Sequence, residues 1–254
     1  MSSAFSLKGK RAVVTGGSRG IGAAVTRLLA AEGASVCIGY RSRRADADAL
    51  VAALSMSGTS ASAHASDLGA PGGADSLIAA GVAAFGGLDI VVHSAGVWPP
   101  EEVPVHEMTD ERWRRTMREN VDAMFFISRA AARVLGDGGR IVHVASTAGQ
   151  RGEAYHADYG ASKGAMISFV KSQAIELAKR GVTVNCVAPG WVDTEMCADV
   201  FANGGRARIE TTIPNGRVAT PEDVAFAVVS LCMAGARHLV GEIVNVNGGS
   251  VLAG

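Results

Sequence analysis

Short apolar runs alternate with longer, helix-like runs along most of the chain. Seven of the apolar runs are predicted to be strands, and they cover residues 11–15, 35–40, 60–67, 88–96, 139–146, 182–190 and 241–249. Strands that read as continuous apolar segments between helices are typical of a parallel sheet covered on both faces. The sequence contains no Pro/Ser-rich linker and no internal repeat. We therefore predict one doubly wound α/β domain over residues 1–254, with a mainly parallel sheet.

A cluster of glycines follows the first predicted strand. Gly16, Gly17, Gly20 and Gly22 lie between that strand and the first helix-like run. Glycines permit a tight turn and let the backbone approach a pyrophosphate, while the helix N-terminus offers unpaired N–H groups. The spacing is G-x-x-x-G-x-G, which differs from the general G-x-G-x-x-G fingerprint. Placed in the first βα turn of an alternating sheet, the cluster predicts a dinucleotide-binding domain of the Rossmann type.

Tyr159 and Lys163 lie four residues apart at the start of an apolar, helix-like run. Residues i and i+4 share one helix face, so both side chains could point into one cleft. An ammonium near a phenol favours the phenolate, and we expect Lys163 to lower the pKa of Tyr159 by about one to two pH units. Such a phenol could exchange protons near neutral pH. The alternative is a pair on a solvent-exposed helix face.

The same segment also matches G-x-S-x-G, the nucleophile elbow of many hydrolases, with Ser162 as the nucleophile. An elbow requires a buried strand directly before the serine, whereas residues 152–161 are polar. The triad order also requires a later histidine, and His238 is the only one after Ser162. The sequence context therefore disfavours a hydrolase.

Four features together resemble the short-chain dehydrogenase/reductase family: residues 15–22, Asn120, Ser146 and residues 159–163. The resemblance extends over about residues 8–249, and the combination is far more specific than any one motif. It implies a single-domain nicotinamide oxidoreductase with a Ser–Tyr–Lys catalytic set assisted by an asparagine.

The resemblance also implies a role for each member of the set. In the reductive direction, Tyr159 would protonate a carbonyl oxygen as hydride arrives. Ser146 would donate a hydrogen bond to the same oxygen. Lys163 would hold the nicotinamide ribose, and Asn120 would hold a water that links Lys163 to solvent.

The resemblance and the order of motifs place the cofactor along these residues: Gly16, Ser18, Arg19, Gly20, Ile21, Gly22, Tyr40, Arg41, Ser42, Asp67, Leu68, Ser94, Ala95, Gly96, Tyr159, Lys163, Pro189, Gly190, Val192 and Thr194. Thr194 would meet the carboxamide. One departure is visible, because the family usually has Asn-Asn-Ala-Gly where residues 93–96 read His-Ser-Ala-Gly. His93 and Ser94 must therefore make their hydrogen bonds differently.

The end of the second strand indicates NADP(H) rather than NAD(H). An NAD-selective site places a carboxylate there, about twenty residues after the glycine turn, to bind the ribose 2′-hydroxyl. This chain has Tyr40, Arg41 and Ser42 at that point, and no carboxylate occurs until Asp46. Arg41, together with Arg19, could bind a 2′-phosphate through charge-assisted hydrogen bonds. The alternative is a solvated basic turn.

Five residues are candidates for the lining of the substrate pocket: Trp98, Gln150, Tyr155, Trp191 and Met196. Residues 193–215 read as an insertion before the last helix, which suits a mobile lid. The chain most resembles the β-ketoacyl-carrier-protein (3-oxoacyl) reductases, so we expect interconversion of a ketone and a secondary alcohol. Dehydrogenases of sugars, steroids and small alcohols look the same at this level. A non-catalytic nucleotide-binding sensor is a further alternative.

Two helical runs are predicted between the fourth and fifth strands, at residues 110–120 and 121–135. The first could dock an acidic carrier protein or be a solvated face, and its arginines are Arg112, Arg114, Arg115 and Arg118. The runs at residues 120–135 and 165–178 are apolar around much of their circumference, which indicates burial on more than one side. Their large apolar residues include Phe125, Phe126, Phe169 and Ile175. The resemblance implies that these helices pair across two-fold axes of a homotetramer.

The composition narrows the partners and the compartment. Lys+Arg and Asp+Glu both number 24, so charge provides no general attraction to nucleic acid or to an anionic membrane. The four cysteines show neither C-x-x-C nor a disulfide spacing, and we expect no metal site. The first residues lack the apolar core of a signal peptide, and no apolar run reaches the ~20 residues of a membrane helix. We expect a cytoplasmic protein.

Overall fold

Residues 5–252 are described by the computed structural model. They form one seven-stranded sheet with β1 (Arg11–Thr15), β2 (Ser35–Tyr40), β3 (Ala61–Ala65), β4 (Ile90–His93), β5 (Arg140–Val144), β6 (Thr183–Pro189) and β7 (Ile243–Val246). Every neighbouring pair is parallel, in the order β3-β2-β1-β4-β5-β6-β7. The predicted doubly wound, Rossmann-type α/β fold is confirmed. β1 and β2 have the predicted bounds, and the other five strands are shorter than predicted.

Helices cover both faces of this sheet. They are α1 (Gly20–Ala31), α2 (Arg44–Met56), α3 (Gly73–Phe85), α4 (Asp110–Met117), α5 (Ala123–Val134), α6 (Ala148–Arg151), α7 (Ala157–Ala178), α8 (Ala198–Phe201), α9 (Gly205–Glu210) and α10 (Pro221–Cys232). One core contains Val14 and the buried residues of α1, α2 and α10, while the other contains Val13 and those of α3, α5 and α7. Successive strand residues point to opposite faces, so an uninterrupted apolar strand supplies both cores.

The strand order reverses at β1. The chain proceeds from β1 to β2 and β3 on one side, and β4 to β7 lie on the other side. A reversal of this kind leaves a crevice at the carboxyl ends of the strands. Thr15 and His93, the last residues of β1 and β4, are paired across this point. The glycine turn and residues 93–96 therefore meet at the same edge of the sheet.

The helical region before β5 differs from the prediction of two separate helices. α4 continues through a π-helical segment, Arg118–Asp122, directly into α5. Glu119 and Asn120 are buried within this segment. A π segment adds a residue to a helical turn and often occurs at functional sites. The sequence pattern changes period there, which is why it reads as a boundary between two helices.

The insertion predicted as a lid contains short helical elements. A 3₁₀ turn at Glu195–Cys197 precedes α8, and α9 follows. Val192 and Ala219, at the two ends of the insertion, form an isolated parallel bridge. The residues that flank the segment are thus held together by this bridge, while its interior consists of short helices and turns. Its mobility stays a prediction.

Candidate active site

The crevice at the strand reversal is a cleft of about 240 Å³. The cofactor residues expected from the sequence that line it are Gly16, Ser18, Arg19, Gly20, Ile21, Gly22, Tyr40, Arg41, Ser42, Asp67, Leu68, Ser94, Ala95, Gly96 and Thr194. A second cavity, of about 140 Å³, is lined by the rest of that set, namely Tyr159, Lys163, Pro189, Gly190 and Val192. The two cavities share six lining residues, including Ser94, Gly96 and Thr194. The fold therefore brings the whole predicted set around one continuous space.

The glycine turn is shaped so that only glycine fits at key positions. Gly16 has a φ of 63°, and a Cβ there would lie 3.0 Å from the Cα of Ala95. A Cβ on Gly22 would lie 2.2 Å from the carbonyl oxygen of Gly16. α1 begins at Gly20 without a side-chain cap and without an acidic residue in its first turn. Its free N–H groups and positive dipole end fit the pyrophosphate of a dinucleotide.

Three arginines surround one end of the cleft. Arg19, Arg41 and Arg43 line it beside Tyr40 and Ser42, and β2 ends without a carboxylate. Guanidinium groups in this arrangement fit a phosphate on the adenosine ribose. Sequence reasoning assigned Arg41 to the cofactor but not Arg43, which lies two residues further along the same basic turn.

Carboxylates from other parts of the chain pair with these arginines. Glu195 Oε2 lies 2.8 Å from Arg19 Nη1 and 2.7 Å from Arg43 Nη2. Glu119 Oε2, in the π segment, lies 3.1 Å from Arg41 Nη1. The two arginines hold the pKa of Glu195 below its usual value, chiefly through the hydrogen bond from Arg19. No sequence signal marked these partners, since they are far from the arginines along the chain.

Ser146, Tyr159 and Lys163 line the second cavity together. Ser146 follows the end of β5, and the other two lie one turn apart on α7. Lys163 Nζ is 5.7 Å from the centre of the Tyr159 ring and donates to the Val144 carbonyl at 3.0 Å. The Ser146 hydroxyl is close enough to the Tyr159 phenol to lower its pKa. The expected side chains are thus grouped within reach of one reacting carbonyl.

The expectation that Lys163 lowers the pKa of Tyr159 is wrong. Burial raises the pKa of the Tyr159 phenol, and the neighbouring Glu153 and Cys197 also raise it, against the lowering effect of the Ser146 hydroxyl. Burial lowers the pKa of Lys163 to about 8. Sequence reasoning counted the attraction between phenolate and ammonium but not the exclusion of water, which disfavours both charged forms.

Asn120 fastens the loop after β4 to α7. Its Oδ1 accepts from the Val97 N–H at 2.8 Å, and its Nδ2 donates to the Val97 carbonyl at 3.0 Å and to Ser162 Oγ at 2.9 Å. Ser162 Oγ in turn donates to the Tyr159 carbonyl, and the Ser162 side chain is fully buried inside α7. A serine in this position cannot act as an elbow nucleophile. The water expected on Asn120 stays a prediction.

His93 shows how the altered motif at residues 93–96 makes its hydrogen bonds. Thr15 Oγ1 accepts from the N–H groups of Ser94 and Ala95, each at 3.1 Å, and lies 2.9 Å from His93 Nδ1. The Thr15 hydroxyl proton is therefore available to donate to Nδ1, which fixes the neutral tautomer of His93 with its proton on Nε2. Burial, with the nearby His143 and Lys163, holds the pKa of His93 well below its usual value. An uncharged imidazole thus supports the loop that passes the cofactor cleft.

The substrate pocket contains three of the five expected residues. Trp98, Trp191 and Met196 line the second cavity. Gln150 and Tyr155 do not: Gln150 donates to Asn245 Oδ1 at 2.8 Å, and the Tyr155 side chain is 53% exposed. Gln150 lies in the single turn of α6, which directs it toward β7.

Sequence reasoning also missed a carboxylate in this pocket. Glu153 lines the cavity from the turn between α6 and α7. It lies seven residues after Ser146 and six before Tyr159, so its position between two catalytic candidates was the signal available.

No helix between residues 5 and 252 is long and apolar enough to cross a membrane. Within that range, no group of three or more His, Cys, Asp or Glu side chains is arranged to hold a metal ion.

A parallel α/β sheet with a nucleotide-shaped cleft, joined to a cavity that holds Ser146, Tyr159 and Lys163, defines a dinucleotide-dependent oxidoreductase. A family model described as Enoyl-(Acyl carrier protein) reductase matches residues 16–250. An uncharacterized oxidoreductase of Methylorubrum extorquens is 38% identical over 245 residues, which cover 96% of this chain and 98% of that protein. A 3-oxoacyl-[acyl-carrier-protein] reductase of Vibrio cholerae is 37% identical over 247 residues, with coverage of 96% and 98%.

A solved structure places the chain in the same group of proteins as these sequence relatives. A short chain dehydrogenase from Burkholderia cenocepacia, crystallised in complex with NADP, is similar with a TM-score of 0.90 and 37% identity. The match covers 96% of this chain and 98% of that one. The chain belongs to the short-chain dehydrogenase/reductase family.

Proposed function

We propose that the protein is an NADP(H)-dependent carbonyl reductase that interconverts a ketone and a secondary alcohol. The observation that carries this proposal is the grouping of Ser146, Tyr159 and Lys163 in a cavity that opens into the dinucleotide cleft. A substrate in the second cavity and a nicotinamide at the shared boundary would lie next to each other. This is the arrangement that hydride transfer requires.

The choice of NADP(H) is supported by the arginines of the cleft. Arg19, Arg41 and Arg43 surround the end of β2, where an NAD-selective site would have a carboxylate. The Burkholderia cenocepacia relative was crystallised with NADP. A 2′-phosphate would replace the carboxylates that pair with these arginines.

The nicotinamide, when bound, supplies or accepts the hydride. Ser146 donates a hydrogen bond to the carbonyl oxygen and orients it toward Tyr159. Tyr159 then donates its phenolic proton to that oxygen; its raised pKa means that the proton is present at neutral pH. Lys163 Nζ lies next to the wall shared by the two cavities, since a Cβ on Gly96 would be 3.5 Å from it. Lys163 would hold the nicotinamide ribose there.

A carrier-linked 3-oxoacyl substrate is a second candidate, favoured by the Vibrio cholerae relative. The helical run at residues 110–120 gives this second candidate less support, because each of its arginines has a carboxylate partner. The pairs are Arg112 with Asp158, Arg114 with Asp110, Arg115 with Glu119, and Arg118 with Asp67 and Glu119. Arginines already paired in this way attract an acidic protein less strongly.

A substrate panel tests these proposals. Purified protein is mixed with NADPH and aryl, alicyclic, sugar, steroid and carrier-linked 3-oxoacyl ketones, and the loss of cofactor absorbance is followed. Turnover of a free ketone supports the carbonyl reductase, and a preference for the carrier-linked substrate supports the second candidate. Tight NADPH binding without turnover of any ketone would instead indicate a nucleotide sensor.

We also propose a cytoplasmic homotetramer. Two separate apolar faces support the assembly: Phe125 on α5 is 41% exposed with Phe169 of α7 against its ring, and Phe226 on α10 is 70% exposed beside β7. Apolar faces of this kind commonly mark protein–protein contacts, and two faces suffice for two two-fold axes.

A further inference from the structure

Glu153 places a carboxylate in the wall of the substrate cavity. Its side chain is 24% exposed, and the residue lies in the turn that connects α6 to α7. Oε1 of Glu153 accepts from Trp98 Nε1 at 3.2 Å and lies 3.7 Å from His156 Nδ1. A carboxylate held by two neighbours has a defined position, as a group that selects a substrate must have.

Two aromatic side chains, Trp98 and Trp191, line the same cavity as Glu153, and each packs against a further ring outside that lining. The Trp98 ring stacks on His156, with centroids 4.8 Å apart and an angle of 21° between the planes. Trp191 meets the edge of Trp98 at 6.0 Å, and Phe201 lies 5.9 Å from Trp191. Flat apolar side chains in this arrangement suit a planar ring, which can stack on one and pack edge-on against another.

The second oxygen of Glu153 is the group left for a ligand. Within residues 5–252, Oε2 accepts no hydrogen bond, because the contacts of the carboxylate with Trp98 and His156 both involve Oε1. A substrate that covered Oε2 without donating to it would remove the oxygen from water at a cost. A substrate that donates a hydrogen bond avoids that cost.

The charge of the pocket indicates what kind of donor fits. Arg151 and Lys163 line the same cavity as Glu153. Arg151 is near enough to act on the charge of the Glu153 carboxylate. An ammonium substituent would be attracted by Glu153 but repelled by Arg151. A carboxylate would be attracted by Arg151 but repelled by Glu153. A neutral hydroxyl can donate to Glu153 without either penalty.

We propose that Glu153 is a specificity-determining residue that selects ketones carrying a hydroxyl group on a planar ring. The inference rests on the proposed carbonyl reductase activity and names its substrate class. Trp98 and Trp191 would hold the ring, Ser146 and Tyr159 would bind the carbonyl, and Glu153 would accept the hydroxyl proton.

The test measures kcat/KM with NADPH for the three hydroxyacetophenone isomers. Two series without a donor are matched to them: the methyl isomers in size, and the methoxy isomers in their electronic effect on the carbonyl. Aminomethylacetophenones test the charged donor. The enzymes are the wild type, Glu153→Gln, and Glu111→Gln as a control at an exposed glutamate of α4.

The wild type is expected to prefer at least one hydroxy isomer over both of its matched analogues by about tenfold, as for a hydrogen bond to a charged group. The ammonium compounds should show no such preference. Glu153→Gln should lose most of the preference and keep turnover of the methyl compounds, while Glu111→Gln should behave as the wild type. If Glu153→Gln does not fold, Glu153→Asp, which keeps the charge but shortens its reach, should lose the preference.

Two results would overturn the role of Glu153 without contradicting the proposed carbonyl reductase activity. One is equal kcat/KM for the hydroxy, methyl and methoxy ketones in the wild type. The other is a preference that survives in a folded Glu153→Gln or Glu153→Asp. Failure of the wild type to reduce any ketone, in this set or in the broader panel, would instead contradict the proposed function.

Discussion

Glu195 and Arg19 form an ion pair across the mouth of the cofactor cleft, with 2.8 Å between Oε2 and Nη1. The same oxygen reaches Arg43, so a carboxylate from the loop after β6 occupies two arginines that would bind a phosphate. The side chains are about half exposed or more, and exposed pairs contribute little stability. A phosphate with two negative charges can therefore displace Glu195.

The first prediction concerns this competition. Glu195→Gln should bind NADPH about three- to tenfold more tightly at low salt, because the neutral side chain neither occupies the arginines nor repels the phosphate. NADPH fluorescence titration measures the change, with Glu222→Gln, an exposed position on α10, as the control. Weaker binding to Glu195→Gln would show that the carboxylate assists the cofactor.

Arg41 provides the second prediction, which separates the two cofactors. Arg41→Ala should weaken NADPH binding by roughly 1.5–3 kcal/mol, the scale of a hydrogen bond to a charged group, and leave NADH nearly unchanged. Arg44→Ala is the matched control, since Arg44 packs over the Tyr40 ring and does not line the cleft. Equal losses for NADPH and NADH would show that Arg41 does not bind the 2′-phosphate.

Lys163 provides a prediction about pH. Burial lowers its pKa to about 8, from an ordinary value of 10.5, so the unfolded chain holds this proton more tightly than the folded one. Burying the charged Lys163 amine therefore destabilises the folded state fully below pH 8. This destabilisation disappears as the pH rises to 10.5. Lys163→Met should therefore raise the thermal midpoint of the cofactor-free protein at pH 7 by a few degrees.

The difference between Lys163→Met and the wild type should shrink as the pH approaches 10. Lys171→Met, at an exposed position of α7, should show neither effect. A lower thermal midpoint for Lys163→Met at pH 7 would contradict this prediction. It would mean that the hydrogen bond from Lys163 to the Val144 carbonyl stabilises the fold more than burial of the charge destabilises it.

The assembly gives the fourth prediction. Light scattering should report about four times the mass of one chain at micromolar concentration. Phe125→Glu and Phe226→Glu each place a charge in one apolar face, so each should yield a dimer. Val105→Glu, at a position that is 74% exposed outside both faces, should stay a tetramer. A wild-type monomer would contradict the proposal.

Much of the fold could be predicted because its signals are local. β4 and β5 are short, mainly apolar strands, and the glycine turn after β1 has a steric requirement that the sequence displays directly. The link between Tyr159 and Lys163 is also local, because it depends only on helical spacing. The π segment was missed, since a change of helical period resembles a break between two helices.

The parts that could not be predicted depend on long-range contacts and on burial. Glu195 meets Arg19 from 176 positions away in the chain, and no spacing rule indicates such a partner. The pKa of Tyr159 depends on how much protein surrounds the phenol, which a pair of residues in a sequence does not reveal. Tyr155 was expected to line the pocket, but its φ of 64° places it in a turn, and its side chain is exposed.

The most direct test of the central claim compares NADPH-dependent ketone reduction by the wild type and Tyr159→Phe. Tyr155→Phe, which removes an exposed hydroxyl, is the matched control. Loss of the proton donor should lower kcat by at least about a hundredfold, while NADPH binding persists and Tyr155→Phe keeps full activity. Near-normal turnover by a folded Tyr159→Phe would contradict the assignment of Tyr159 as the general acid.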